Sequence, residues 1–157
     1  MQRDFHIQAL PIEPFAKFLS MDDHQLAGSG IRVIQVDAKP GFPCRVCLCD
    51  AEIGESVLAL CHVHHATDSP YRASGPIFIR YAATPSTPAI NEVPAMLRHR
   101  SLSLRGYDRN ALMVHADTAP GERIGAHIAQ AFNDTRVAYL HIHNAAAGCY
   151  LCCALPA

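Results

Sequence analysis

Turn-forming residues recur throughout this chain and limit it to short secondary-structure elements. Eleven prolines and nine glycines are spread over 157 residues, and both residue types interrupt helices and strands. Between them, the segments 31–36, 56–64 and 101–105 are β-branched or alternate in polarity, which is typical of short strands. A helix is expected from Glu13, because Pro14 is tolerated in a first turn. We therefore expect an α+β fold with a mainly antiparallel or mixed sheet of six to eight short strands and two or three helices.

Two more strands are predicted beside residues that carry chemistry. Pro43 leads into a segment in which Val46 and Leu48 alternate with Cys47 and Cys49. A regular strand there would place Cys47 and Cys49 on one face and Cys44 on the other. The segment 111–116 is expected to pair back onto 101–105 as a hairpin.

Length, composition and charge limit the function classes. Half of the residues are hydrophobic and 17% are charged, which is typical of one globular domain, here residues 1–157. The formal net charge of −1 argues against nucleic acid as a partner, because phosphate binding needs a basic face. No segment approaches the ~18 apolar residues of a membrane span, and the first residues lack the apolar core of a signal peptide. We expect a cytoplasmic protein with reduced cysteines; the oligomeric state stays open.

The seven cysteines include two C-x-x-C pairs. Cys44 with Cys47 and Cys149 with Cys152 supply the four sulfur ligands of a tetrahedral zinc site. The long gap between the pairs makes this pattern less specific than a compact zinc ribbon. Two alternatives remain open: buried, inert cysteines, since free cysteine is among the most buried residue types, and a redox or nucleophilic thiol.

Histidines flank the second cysteine pair. His141 and His143 lie on one face of a predicted strand, shortly before Cys149. A thiol beside an imidazole can act as an activated nucleophile, so Cys149 with His143 is the best such pair in the chain. Hydrogen-bonded core histidines are an equal alternative. His62 and His64 form a similar pair, for which the core role is favoured.

A third feature is a loop that suits an anionic ligand. The segment 70–76 combines Tyr71 and Arg72 with a Gly-Pro turn, and Arg72 could grip a carboxylate with its forked guanidinium. A purely structural loop is the alternative. The basic residues 98–100, Arg105 and Arg109 are expected on a solvated strand face, with an anion site as the second interpretation. No glycine-rich phosphate-binding motif is present in the sequence.

Four blocks of this sequence carry a family resemblance: 41–48, 70–78, 105–108 and 141–150. They resemble a bacterial family known only as a domain of unknown function, number 1203. The resemblance implies a single-domain protein and no particular activity. Members resemble this chain most firmly at the following positions: Pro43, Cys44, Arg45, Pro70, Tyr71, Gly75, Pro76 and Cys149. Many members carry another residue at Cys47 and Cys152, which weakens zinc binding as the family's purpose.

Three hypotheses follow. The first is a small-molecule-binding protein or enzyme in which Arg45 or Arg72 holds an anionic group, Cys149 or Cys44 is nucleophile, ligand or redox partner, and His143 is the base. Tyr71 and His141 would help to bind the substrate. The second is a structural or interaction domain stabilised by zinc on four cysteines: Cys44, Cys47, Cys149 and Cys152. The third is a purely structural role for these thiols and histidines.

Overall fold

Two antiparallel sheets dominate the computed structural model, which describes residues 2–157. This part of the chain forms eight strands: β1 (Phe5–Gln8), β2 (Arg32–Gln35), β3 (Ser56–His65), β4 (Ala73–Arg80), β5 (Ser101–Tyr107), β6 (Met113–Pro120), β7 (Tyr139–Asn144) and β8 (Tyr150–Pro156). The larger sheet has the order β1-β8-β7-β5-β6, and the smaller one has the order β2-β3-β4.

Within the same residues the chain forms four α-helices and one 3₁₀ turn: α1 (Glu13–Leu19), α2 (Asp23–Gly28), α3 (Ala95–Arg98), α4 (Ile124–Ala131) and the turn Gly121–Arg123. The expected α+β class with short, antiparallel strands is confirmed. The short helix α3 is the element that the sequence did not predict.

The first two helices begin where local chemistry favours them. Pro14 lies in the first turn of α1, where its missing N–H forfeits no hydrogen bond. Asp22 caps α2, because its carboxylate accepts a hydrogen bond from the Gln25 N–H at 2.8 Å and the Gln25 side chain accepts one from the Asp22 N–H at 3.0 Å. Phe15 and Leu26 are the buried residues of these helices, and both pack with the apolar residues of the smaller sheet.

The larger sheet has one apolar and one polar face, since successive side chains of a strand point to opposite sides. Leu104 and Ile142 lie on the apolar face and pack with Ile124 and Ile128 of α4 in one core. The opposite face carries the other residues of β5 and β7: Ser103, Arg105, Tyr107, Tyr139, His141 and His143.

The end of β3 reaches this polar face. The pairing of β3 with β4 shifts register between His62 and His65, and such a bulge redirects side chains. The His64 ring centre lies 5.1 Å from that of His143, and the His65 ring centre lies 4.8 Å from that of His141. Imidazole and phenol rings therefore fill the space where the two sheets meet.

The structure corrects the strand predicted over residues 43–49. This segment is a tight turn, closed by hydrogen bonds from Cys44 N to Cys49 O at 2.9 Å and from Leu48 N to Cys44 O at 3.0 Å. Leu48 has a positive φ of 51°, which no regular strand contains. Cys44 retains one isolated parallel bridge to Phe78 on β4. The alternating pattern was therefore misleading, because the turn buries Val46 and Leu48 and leaves Cys47 and Cys49 partly exposed, as a strand would.

The strand predicted at 111–116 begins later and runs further. Asp108 Oδ1 accepts hydrogen bonds from the N–H groups of Asn110 and Leu112, at 2.8 and 2.9 Å. This side-chain capture of the backbone holds the turn through residue 112 and delays the start of β6.

Among residues 2–157, no helix is both long enough and apolar enough to cross a membrane.

Candidate functional site

Arg45 is a buried arginine between the two sheets, with 1% of its surface exposed. Its Nε donates a hydrogen bond to the carbonyl oxygen of Tyr150 at 2.8 Å, and Nη1 donates to that of Pro43 at 2.5 Å. Its guanidinium carbon lies 5.7 Å from the centre of the Phe78 ring. The backbone is anchored as well, since Arg45 N donates to Phe78 O and Arg45 O accepts from Leu10 N. These contacts leave the side chain little freedom.

The charge of Arg45 has no acidic partner. Among residues 2–157, no carboxylate forms an ion pair with it. Burial lowers the pKa of Arg45 to about 10, and the neighbouring Cys149, to whose thiol the guanidinium is hydrogen-bonded, works in the opposite direction. Arg45 is therefore a cation at neutral pH, and its hydrogen bonds go to two carbonyl oxygens and a thiol.

Arg45 and Cys149 line the same cavity, which has a volume of about 550 Å³. Cys149 Sγ also accepts a weak hydrogen bond from Asn144 Nδ2 at 3.7 Å. The cavity combines these polar groups with an apolar wall, and its full lining is: Pro40, Gly41, Pro43, Arg45, Phe78, His99, Arg100, Ser101, Asn144, Ala146, Ala147 and Cys149.

Arg100, the second guanidinium of the cavity, is already paired. It donates two hydrogen bonds to the Asp50 carboxylate, at 2.5 and 3.0 Å, and His99 Nε2 lies 3.2 Å from the same group. Burial alone would raise the pKa of Asp50, but its hydrogen bonds with Arg100 hold the pKa below its usual range. Arg45 is therefore the cation of this cavity that lacks a carboxylate.

His143 lies close to Cys149 in sequence but is not hydrogen-bonded to it. Its Nδ1 donates to the carbonyl oxygen of Gly148 at 2.9 Å, so Nε2 carries the lone pair. That Nε2 is buried and has no hydrogen-bond partner among residues 2–157. Cys149 and His143, the nucleophile and base expected from the sequence, are thus not hydrogen-bonded to each other among residues 2–157.

His141 and His143 belong instead to a cluster of rings, which we call the ring cluster: His64, His65, Tyr71, Tyr107, Tyr139, His141, His143 and Tyr150. Both ring nitrogens of His65 are hydrogen-bonded. Its Nδ1 donates to the carbonyl oxygen of Tyr71 at 2.8 Å, which leaves Nε2 to accept from the Tyr139 hydroxyl at 2.7 Å. These two hydrogen bonds fix the orientation of the His65 ring.

Burial keeps the other imidazoles of the ring cluster neutral. It lowers the pKa of His141 to about 3 and those of His64 and His143 to about 4, and neighbouring imidazoles and Arg105 contribute in the same direction. The Nδ1 atoms of His64 and His141 are buried without hydrogen-bond partners in the described chain. These histidines can accept or donate hydrogen bonds, but they carry no charge at neutral pH.

Tyr71 and Arg72 lie away from the Arg45 cavity. Tyr71 joins the ring cluster, with its ring centre 5.9 Å from that of Tyr107. Arg72 is exposed, and its Nη1 donates a long hydrogen bond of 3.4 Å to the carbonyl oxygen of Thr67. Neither residue lines the cavity. The loop 70–76 therefore adds no cation to the site that contains Arg45.

A three-thiol cluster is formed by Cys44, Cys47 and Cys49. The Sγ atoms of Cys47 and Cys49 are 2.8 Å apart, and Cys44 Sγ accepts a hydrogen bond from Arg80 N at 3.4 Å. Arg80 Nη1 donates to Cys49 Sγ at 3.0 Å and points toward Cys47 Sγ at 3.8 Å. A hydrogen bond from Cys47 lowers the pKa of Cys44 to about 6, and this bond raises the pKa of Cys47.

The four cysteines of the zinc hypothesis are not brought together. Cys44 packs in the core of the smaller sheet, whereas Cys152 is buried in the apolar core of the larger one. Cys149 faces the Arg45 cavity. Among residues 2–157, no group of three or more His, Cys, Asp or Glu side chains is placed to hold a metal ion. The geometry does not favour a four-cysteine zinc site.

Sequence reasoning did not select two of the polar residues in these sites, Asn144 and Arg80. Arg80 follows three apolar residues of β4, and a lone arginine at the end of an apolar strand is a signal that could have been read. Asn144 carried no local signal, because its contact with Cys149 depends on the turn between β7 and β8.

A family model described as Protein of unknown function (DUF1203) matches residues 41–154. No curated protein and no solved structure matches the chain.

Proposed function

Because the chain belongs to the DUF1203 family, whose description assigns no activity, we propose a function from the geometry of the site: the protein binds a small anionic molecule in the Arg45 cavity. The ligand carries a carboxylate or a phosphate, which the Arg45 guanidinium grips. Cys149 lies beside that anion, where it is a contact in a binding protein and the candidate nucleophile in an enzyme.

The observation that carries this proposal is the buried, unpaired charge of Arg45. Burying a cation without a counter-charge costs several kcal/mol, and proteins normally offset this cost with a carboxylate. Here Arg100, in the same cavity, has its carboxylate in Asp50, and Arg45 has none. A ligand anion would supply the missing charge and form forked hydrogen bonds of the kind that guanidinium prefers.

The other residues that line the cavity indicate the size and chemistry of the rest of the ligand. A volume of about 550 Å³ is within the range of small-molecule sites. Phe78 and the prolines Pro40 and Pro43 form an apolar wall, and Asn144 adds an amide donor. This combination favours a compact organic acid or phosphate ester with an apolar portion over a bare inorganic ion.

The test measures anion binding by thermal unfolding and by isothermal titration calorimetry, with inorganic phosphate and benzoate as probes and chloride as the salt control. A ligand at 100 times its Kd stabilises the folded state by about 2.7 kcal/mol. We expect this stabilisation for the unmodified chain and for Arg72→Met, which removes an exposed arginine outside the cavity. We expect Arg45→Met to fold and to lose binding.

Two further variants assign roles within the cavity. Arg45→Lys keeps the charge but loses the fork, so we expect weaker binding that still responds to both probes. Cys149→Ser should retain binding, because the thiol is not the source of the charge. The proposal is wrong if Arg45→Met binds both probes as tightly as the unmodified chain does.

A further inference from the structure

The three-thiol cluster is a second reactive site, separate from the Arg45 cavity. None of its sulfur atoms lines that cavity, and anion binding makes no use of them. We propose that the cluster is a redox-active thiol site, in which a hydroperoxide converts Cys47 and Cys49 into a disulfide and Cys44 exchanges into it.

The first support is the proximity of the sulfurs. The 2.8 Å between Cys47 Sγ and Cys49 Sγ is less than the van der Waals contact of two sulfur atoms, and a small movement brings them to the bonding distance of about 2.05 Å. Cys47 also packs against the apolar core that contains Cys44. All three sulfur atoms lie around Arg80, whose backbone N–H donates to Cys44 Sγ and whose Nη1 is directed at Cys47 Sγ and Cys49 Sγ.

The second support is the cation beside the cluster. The Arg80 guanidinium is held by the Glu55 carboxylate, with Arg80 Nε donating to Glu55 Oε2 at 2.9 Å, and it still donates to Cys49 Sγ at 3.0 Å. A cationic donor stabilises the thiolate form, which is the species that attacks peroxides. Cys47 and Cys49 are partly exposed, so a small oxidant can reach them, whereas Cys44 is buried.

The chemistry balances with a hydroperoxide as the oxidant. The Cys49 thiolate attacks the O–O bond, retains one oxygen as a sulfenic acid and releases the other as hydroxide, or as an alcohol from an organic peroxide. Cys47 Sγ then attacks the Cys49 sulfur, and the sulfenic oxygen leaves as water once it takes up a proton. Two thiols and one hydrogen peroxide thus give one disulfide and two waters.

Cys44 can then move the disulfide. Its sulfur attacks Cys47 Sγ, a Cys44–Cys47 bond forms, and the Cys47–Cys49 bond breaks to release the Cys49 thiolate beside Arg80. No electrons are gained or lost in this exchange. The Arg80 N–H, which donates to Cys44 Sγ at 3.4 Å, stays in place during this step and stabilises the attacking thiolate.

Tryptic mapping distinguishes the two disulfides in the unmodified chain. Trypsin cleaves after Arg32, Arg45 and Arg72 but not at Lys39, which precedes proline. Cys44 is therefore in the peptide 33–45, and Cys47, Cys49 and Cys61 are in the peptide 46–72. A Cys47–Cys49 bond stays within one peptide, and a Cys44–Cys47 bond joins the two peptides. The reduced protein is treated with hydrogen peroxide, quenched by alkylation at successive times and mapped without reductant.

We expect a bond within 46–72 to appear first and the linked pair 33–45 with 46–72 to follow. Cys49→Ser should slow oxidation of Cys47 by about tenfold or more, because the attacking thiol is lost. Cys61→Ser is the matched control, since Cys61 lies in the same peptide, is exposed and is outside the cluster. It should leave the rate unchanged.

Three results would overturn the proposal: Cys61 reacting first, all seven cysteines reacting at similar rates, or the three thiols resisting peroxide because they hold a soft metal ion. Each is read from the unmodified chain, so the outcome does not depend on whether a variant folds. None bears on anion binding by Arg45.

Discussion

Gly121 is the residue at which a single added carbon should be most damaging. A Cβ built there would lie 1.8 Å from the carbonyl oxygen of Leu97, which is backbone and cannot rotate away. The close approach lets Gly121 N donate to Arg100 O at 2.7 Å and joins the start of the 3₁₀ turn to α3. We expect Gly121→Ala to lower the free energy of unfolding by about 3 kcal/mol or more, measured by urea denaturation.

The matched control for this prediction is Gly28→Ala. Gly28 is at the end of α2, and a Cβ there meets nothing within 4 Å. Alanine also favours helix over glycine, so the change should be neutral or slightly stabilising. Equal losses of stability at Gly121 and Gly28 would show that the close approach to Leu97 is not the cause.

Also at the scale of single residues, the sequence was a better guide to which residues carry chemistry than to which residues they contact. Cys149 was selected from its own chemistry and Arg45 through the family resemblance, and the two line one cavity; that they bind a ligand stays a prediction. Their meeting depends on contacts such as Arg45 Nε to Tyr150 O, which spans 105 positions of sequence. Cys49 and Arg80 meet across 31 positions. No local pattern encodes such distances, because they follow from how the sheets pack.

At the scale of an element, β7 carries two neutral imidazoles into the protein interior. Burial lowers the pKa of His141 to about 3 and that of His143 to about 4, against about 6.5 in an unfolded chain. Below pH 6.5 the unfolded chain therefore binds protons that the folded chain does not, and stability falls as the pH falls. By pH 4.5 the loss is about 2.5 kcal/mol for each histidine.

The check is urea unfolding at pH 7 and pH 4.5. His141→Phe removes one of the three buried histidines with a lowered pKa, which are His64, His141 and His143, so it should reduce the loss on acidification by about 2.5 kcal/mol. Carboxylates contribute to both proteins, and the difference between them isolates the histidine. An identical loss in the variant would mean that His141 is protonated in the folded state.

The prediction of secondary structure succeeded where a segment carried one clear local signal, such as a regular alternation of polar and apolar residues. The alternation over 101–105 became β5, and the proline signal placed the start of α1 correctly. It failed at 43–49 because the turn buries Val46 in the core of the smaller sheet and Leu48 in that of the larger one, and leaves Cys47 and Cys49 partly exposed. Burial on two sides gives a turn the same sequence pattern as a strand, and sequence alone does not distinguish them.

For the molecule as a whole, the separation of the cysteines predicts a fold that is independent of zinc. Cys44 and Cys152 lie in different cores, and Cys149 faces a cavity. We expect elemental analysis and native mass spectrometry of protein purified under reducing conditions to find no stoichiometric zinc. A strong chelator should leave the thermal unfolding midpoint unchanged. A large fall of this midpoint on chelation would restore the four-cysteine hypothesis.

The ring cluster also gives the molecule a built-in optical signal. The chain has no tryptophan and five tyrosines, and four of these tyrosines belong to the ring cluster: Tyr71, Tyr107, Tyr139 and Tyr150. Near-ultraviolet absorption and emission therefore come mainly from the seam between the two sheets. A separation of the sheets would change the tyrosine spectrum even where the helices stay intact, so the unlabelled protein can report its own opening.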